Sequence, residues 1–141
     1  MNATDSANLA TQLEGYTLEV KGVTCGDEDI RTLQEVCGES KFGVRTAIGL
    51  TAIYEALQRV VGDPHFPLPF AGIVHVEQSF QWARQDVNLG QFRLSCSMHN
   101  IVVRPRMVLF TLHIATTREH DGSAVVNCDA RMMCQFSGGE E

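Results

Sequence analysis

The sequence predicts an α+β domain in which a long central helix is wrapped by a curved antiparallel sheet of about five strands, and three observations predict it. Residues 46–62 carry Ile48, Leu50, Ala52, Ile53, Tyr54, Ala56, Leu57, Val60 and Val61 around most of a helical circumference. Only Thr51, Glu55, Gln58 and Arg59 form a polar stripe, the pattern of a buried helix. From Gly72 onward the apolar period falls to two, in runs too long to be anything but extended strands. Asp121-Gly122 then separates two of these runs, the dipeptide that favours a hairpin reversal.

Each element has its own reason. Tyr16, Leu18 and Val20 alternate with polar neighbours over 16–23, which predicts a first strand. Asp27-Glu28-Asp29 ahead of Ile30, Leu33 and Val36 predicts a short helix, its acidic first turn set against the helix dipole and its end at Gly38. Gly62-Asp63-Pro64 stops the central helix, because proline lacks the N–H that would continue it. Val74, Val76, Phe80 and Trp82 are expected on the dry face of the next strand, with His75, Glu77 and Ser79 opposite and Gln78 a polar exception. Phe92 to Met98, Phe110 to Ile114 and Val126 to Phe136 alternate in the same way, with a turn at Arg104-Pro105-Arg106. The dry face of this sheet needs a cover, and the 46–62 helix is the segment apolar enough to provide it. One strand, a buried helix and then four strands is the order of the hot-dog fold. Tyr54 and Trp82 are expected in its core.

With 141 residues, 44% hydrophobic and 20% charged, the chain fits one globular domain. Residues 15–136 are assigned to it, 1–14 to a flexible leader and 137–141 to a flexible tail. A net charge of −6 with eleven scattered basic residues argues against nucleic acid, which needs clustered Lys and Arg. Cys25, Cys37, Cys96, Cys128 and Cys134 are odd in number and contain no CxxC pair, which points to reduced thiols and a cytoplasmic setting. No segment has the apolar length of a membrane span, and the histidines lack metal-ligand spacing, so neither membrane nor metal is expected.

The segment Phe66-Pro67-Leu68-Pro69-Phe70-Ala71-Gly72-Ile73-Val74-His75-Val76 resembles a passage of the MaoC-like acyl dehydratases and hydratases, found in the non-catalytic half of their double-hot-dog members. The resemblance covers about residues 16–136. It implies a protein that binds acyl thioesters, with acyl-CoA or a phosphopantetheine arm as substrate carrier and no permanently bound cofactor. It also implies a homodimer, or a heterodimer with another hot-dog subunit, consistent with the open edge of such a sheet. The active half of those proteins carries an Asp and a His that exchange protons with the substrate, related to (R)-specific hydration and 3-hydroxyacyl dehydration. Laid on that motif, Val36-Cys37-Gly38-Glu39 puts Glu39 in the acid's place, but Val44 stands where the His belongs. A valine transfers no proton, so the usual dyad is missing and a non-catalytic or partner subunit is implied. His65-Phe66-Pro67 also echoes the carrier-protein dehydratases of fatty-acid synthesis, though here His65 follows the helix instead of preceding it.

Four side chains remain as candidate catalysts: His75 with Glu77, read as one face of a strand; Glu39; and Glu55 on the polar stripe of the helix. Glu55 supports an alternative reading, since hot-dog thioesterases commonly carry a carboxylate there. Arg84, Arg104 and Arg106 are candidates for the phosphates of coenzyme A or pantetheine. The free N–H groups of the helix that starts near Thr46 are the expected anchor for a thioester carbonyl.

Overall fold

The computed structural model describes residues 3–37, 43–68, 73–83 and 88–135. The order is α1 (Ala3–Glu14), β1 (Thr17–Cys25), α2 (Asp27–Cys37), α3 (Val44–Val61), β2 (Ile73–Trp82), β3 (Gly90–Arg104), β4 (Met107–Arg118) and β5 (Ala124–Gln135). The five strands form one antiparallel sheet in the order β1-β3-β4-β5-β2. This is the predicted architecture, an α+β sheet with a central helix against it. α3 crosses the sheet in contact with β1, β3, β4 and β5.

Alternation decides which side chains meet α3. Leu94, Cys96 and Met98 of β3, Phe110, Leu112 and Ile114 of β4, and Val126, Cys128, Ala130, Met132 and Cys134 of β5 are all buried, joined by Ala47, Ile48, Ala52, Ile53, Ala56 and Val60 of α3. Each large aliphatic removed from water in this way contributes about 1.5–3 kcal/mol. Cys25, Cys96, Cys128 and Cys134 are buried and form no disulfide. Burial pushes Cys96 up to about 11 and, with Asp129 and Cys96 adding repulsion, Cys128 up to about 12. Both are packing groups, neutral at physiological pH.

Four irregularities break the alternation, one of them between Thr116 and Thr117 of β4, opposite the adjacent buried Val125 and Val126 of β5. In β1 the register slips between Val20 and Val23, where Gly22 takes φ +69°, so Val23 and Cys25 turn inward after Val20. In β3 it slips between His99 and Val102, where Asn100 takes φ 52°. In β2 it slips between His75 and Glu77. Each extra residue reverses the parity of the strand beyond it.

The structure corrects several expectations. Residues 3–14 are not a leader but α1, which packs against β3 and sends Leu13 wholly into the core. The helix α3 is apolar nearly all round but is buried along one side only. Leu50 is 41% exposed and Tyr54 64%, because a single subunit covers one side of the helix. Tyr54 is therefore not a core aromatic, and Val74 and Val76 are exposed rather than on a dry face. The Asp121-Gly122 reversal spans residues 119–123, closed by Gly122 N–H to Arg118 O and by Ser123 N–H to Asp121 Oδ1. The tail 137–141, Gly38 and Phe136 lie outside the described residues.

After α3 the chain is pinned by hydrogen bonds to Asp63. Tyr16 Oη donates to Asp63 Oδ2 at 2.7 Å, and Asp63 Oδ1 accepts the N–H of His65 at 3.1 Å. The His65 imidazole is 88% exposed, while Phe66 turns in to meet Tyr16 and Phe110 edge-on.

Candidate functional site

The first turn of α3 is built to leave donors open. Its N-cap is Gly43 in extended conformation, which has no side chain to cap with, and the first intrahelical bond runs from Ala47 N–H to Gly43 O at 3.2 Å. The amides of Val44, Arg45 and Thr46 have no acceptor within the helix, and no acidic residue sits in the turn. The macrodipole and the Arg45 charge therefore add in the same sense, so partial negative charge is favoured there.

Beside this turn lies a concavity of about 380 Å³ lined by Arg45, Thr46, Gly49, Leu50, Phe80 and Trp82. Its wall is a stack: Phe80 and Trp82 lie 6.2 Å apart at 22°, and the Arg45 guanidinium sits 4.8 Å over the Trp82 ring. Gly49 lets the stack approach, because a Cβ there would lie 2.7 Å from Phe80 Cε1. Two residues before Phe80 on β2, in register with buried Ala130, Gln78 buries Oε1 with no hydrogen-bond partner while its Nε2 donates to Ser79 O. The groove thus offers N–H donors with no acceptor among the described residues at one end, an aromatic wall along β2 and an unused acceptor further along that strand.

Of the candidate catalytic and phosphate-binding side chains, the described ones, His75, Glu77, Glu55, Arg104 and Arg106, do not line this groove. The bulge puts His75 in register with Met132, whose side chain is buried, and Glu77 in register with Arg131 on the opposite face. The pair expected to share a face is thereby divided. His75 Nε2 lies 3.1 Å from the backbone oxygen of Glu77 rather than its carboxylate. Glu55 is half-buried on α3, nine residues beyond Thr46 and so about 13 Å along the axis. Arg104 and Arg106 are exposed at the β3–β4 turn. Met107 beside them pairs with Gln135 whereas Trp82 pairs with Val126, so the turn lies roughly 30 Å from Trp82 along the strands. Glu39 and Arg84 lie outside the described residues. Among the described residues no cluster of three or more His, Cys, Asp or Glu has the arrangement of a metal site.

Sequence reasoning missed Arg45, Gly49 and the open side of Phe80. The available signal was a basic residue in the first turn of a helix whose N-cap is glycine, an arrangement that favours an anion over helix stability.

No protein-family model and no curated protein matches this sequence. Solved structures do. The chain is similar to HtdX of Mycobacterium tuberculosis, with 16% identity and a TM-score of 0.64 over 85% of this chain and 51% of that one, so it spans about half of HtdX. It is similar to the HadBC (3R-hydroxyacyl-ACP dehydratase) complex of the same organism, with 17% identity, 86% and 96% coverage and a TM-score of 0.62. It is also similar to a MaoC-like dehydratase of Rhodospirillum rubrum, with 12% identity, 86% and 92% coverage and a TM-score of 0.57. Likeness at these identities establishes the fold: the chain is a hot-dog domain, of the kind that MaoC-like dehydratases carry.

Proposed function

We propose that this hot-dog domain is MaoC-like and binds acyl thioesters, presented by coenzyme A or by a carrier protein, in the groove at the start of α3. The observation that carries the reading is the uncapped first turn opening onto an apolar-walled concavity. A thioester carbonyl is a dipole that the free amides can hold, and an acyl chain suits the Leu50, Phe80 and Trp82 wall. The protein is a binding or partner subunit of (R)-specific hydratase or 3-hydroxyacyl dehydratase chemistry. Val44, where the resemblance calls for a histidine, begins α3 and cannot exchange a proton.

The partner is a second hot-dog subunit, the same chain or another that supplies the missing Asp and His. HadBC is itself a complex. β2 is an edge strand with no buried residue, and exposed Phe80 on it lies against Gly49 of α3, one residue before exposed Leu50. The setting is the cytoplasm, consistent with four buried thiols that form no disulfide; no helix among the described residues is long and apolar enough to cross a membrane.

The test is a thermal-shift series with crotonyl-CoA, butyryl-CoA and free CoA, run alongside enoyl absorbance and thiol release. Stabilisation by the acyl forms beyond free CoA, without turnover, is expected; a ligand at about 100 times its Kd adds about 2.7 kcal/mol. No stabilisation by any acyl thioester, by this chain alone or with a co-purifying subunit, overturns it. Thiol release abolished by Glu55→Gln would instead make the protein a thioesterase, against the distance of Glu55 from the groove.

A further inference from the structure

We propose that the outer face of the sheet, away from α3, carries a separate hydrolytic centre in which Ser97 accepts an acyl group. Two adjacent rungs build it. Ser97, His113, Asp129 and Ser79 stand side by side on β3, β4, β5 and β2, and His99, Thr111, Arg131 and Glu77 form the next rung. Seven of these eight line a concavity of about 540 Å³, and Ser97 adjoins it through its contact with the lining residue His99.

The hydrogen bonds give these groups roles. Ser97 Oγ lies 2.9 Å from His99 Nε2, a nucleophile and a base in direct contact. His113 Nδ1 lies 2.7 Å from Asp129 Oδ1, which fixes the proton on Nδ1 and leaves Nε2 as an acceptor. The two imidazoles meet edge to face with centroids 5.5 Å apart, so the Asp129-held ring of His113 positions the ring of His99. Ser97 is the direct cross-strand neighbour of His113, so both bases flank it. Arg131 directs its Nη1 to Asn100 O at 2.8 Å and Thr111 Oγ1 at 3.0 Å. These are neutral oxygens, which leave its charge for a developing oxyanion.

The backbone singles out the same place. The bulges of β3 and β2 flank this concavity, immediately after His99 and immediately before Glu77. Asn100 holds a left-handed conformation between the His99 base and the rest of β3. Bulges re-aim side chains and gather beside active sites.

The chemistry balances with water as the only co-reactant. Ser97 Oγ attacks the acyl carbon while its proton passes to His99 Nε2; the bond from the acyl carbon to the leaving oxygen or sulfur breaks, and the leaving group takes the proton from His99. Water then attacks the acyl-serine, giving its proton to His99, and the acid leaves as Ser97 is restored. The Glu77 and Asp129 carboxylates disfavour anionic acyl groups, so the substrate class is small, uncharged acyl esters or thioesters. The proposal does not depend on the groove at α3.

The test uses the whole chain with p-nitrophenyl acetate and a fluorophosphonate probe, the labelled peptide being identified by mass spectrometry. Labelling of Ser97 is expected, with hydrolysis reduced at least about tenfold in Ser97→Ala and in His99→Gln, within the 10²–10⁴-fold reach of general-base catalysis. Melting temperatures of the variants check that they are folded, and labelling of the unaltered protein needs no variant. An unlabelled Ser97, or Ser97→Ala hydrolysing as fast as the parent because the imidazoles act alone, overturns the proposal.

Discussion

The two edges of the sheet are unlike. β1 turns Val20, Val23 and Cys25 into the core, at 3%, 4% and 1% exposure, and its bulge is tied across the sheet by Gly22 N–H donating to Glu119 Oε2 at 2.8 Å. β2 buries nothing fully and shows Val74, Val76 and Phe80 to solvent at 50%, 56% and 39%. Both present unpaired ladder groups, yet one edge is finished by its own subunit and the other is not. Apolar content alone therefore does not mark an interior strand: the β2 side chains are as hydrophobic as those of β1, and what they lack is a cover within this chain.

The largest effect expected is from charge placed on the finished edge. Val23→Asp should cost about 3–5 kcal/mol, because an unpaired carboxylate would be buried, read as a fall in the urea midpoint. The matched Val76→Asp should leave subunit stability within about 0.5 kcal/mol. Equal losses at the two positions would erase the contrast. Next in size is association. If β2 meets a second subunit, Phe80→Asp should weaken the complex by about 2 kcal/mol, roughly thirtyfold in Kd by sedimentation. A parent chain that stays monomeric at high concentration and captures no hot-dog subunit would remove the reason for the open edge.

Smaller again is Gly22→Ala. A Cβ there meets nothing within 4 Å, so the penalty is that of a left-handed alanine alone, about 1 kcal/mol. The smallest effect probes the same bulge through pH. Glu119 is held below its ordinary value of 4.5, first by the Gly22 N–H and then by Arg93, whose Nη2 lies 3.2 Å from Oε1. A carboxylate lowered on folding adds stability above its unfolded pKa and loses it as pH falls through the folded one. Urea midpoints should therefore drop less in Glu119→Gln than in the parent between pH 7 and pH 3; parallel drops would show the contact to be idle.

The fold was legible wherever alternation ran unbroken. The inward sides of β3, β4 and β5 and the span of α3 come from period alone, because Leu94, Leu112 and Cys128 sit where a period of two puts them. What was hidden came from two causes. The β2 bulge inserts a residue without any compositional mark, so the parity of His75 against Glu77 could not be read from their spacing. Exposure on α3 depends on what covers it, and Tyr54 looks like core in any count of apolar residues. The groove was half legible: the start of α3 was anticipated as an anchor, but its wall comes from Phe80 and Trp82, far away in the chain. α1 escaped notice because a helix with few large apolar residues can still be fastened by one, Leu13.

The surplus residue at Val76 acts like a frameshift in space. Deleting it would restore strict alternation and leave every other side chain opposite the partner it has now, His75 on Met132 and Glu77 on Arg131. Length in this stretch is therefore as informative as identity, and a homologue one residue shorter between Val74 and Glu77 would keep the same faces by plain alternation, without the bulge.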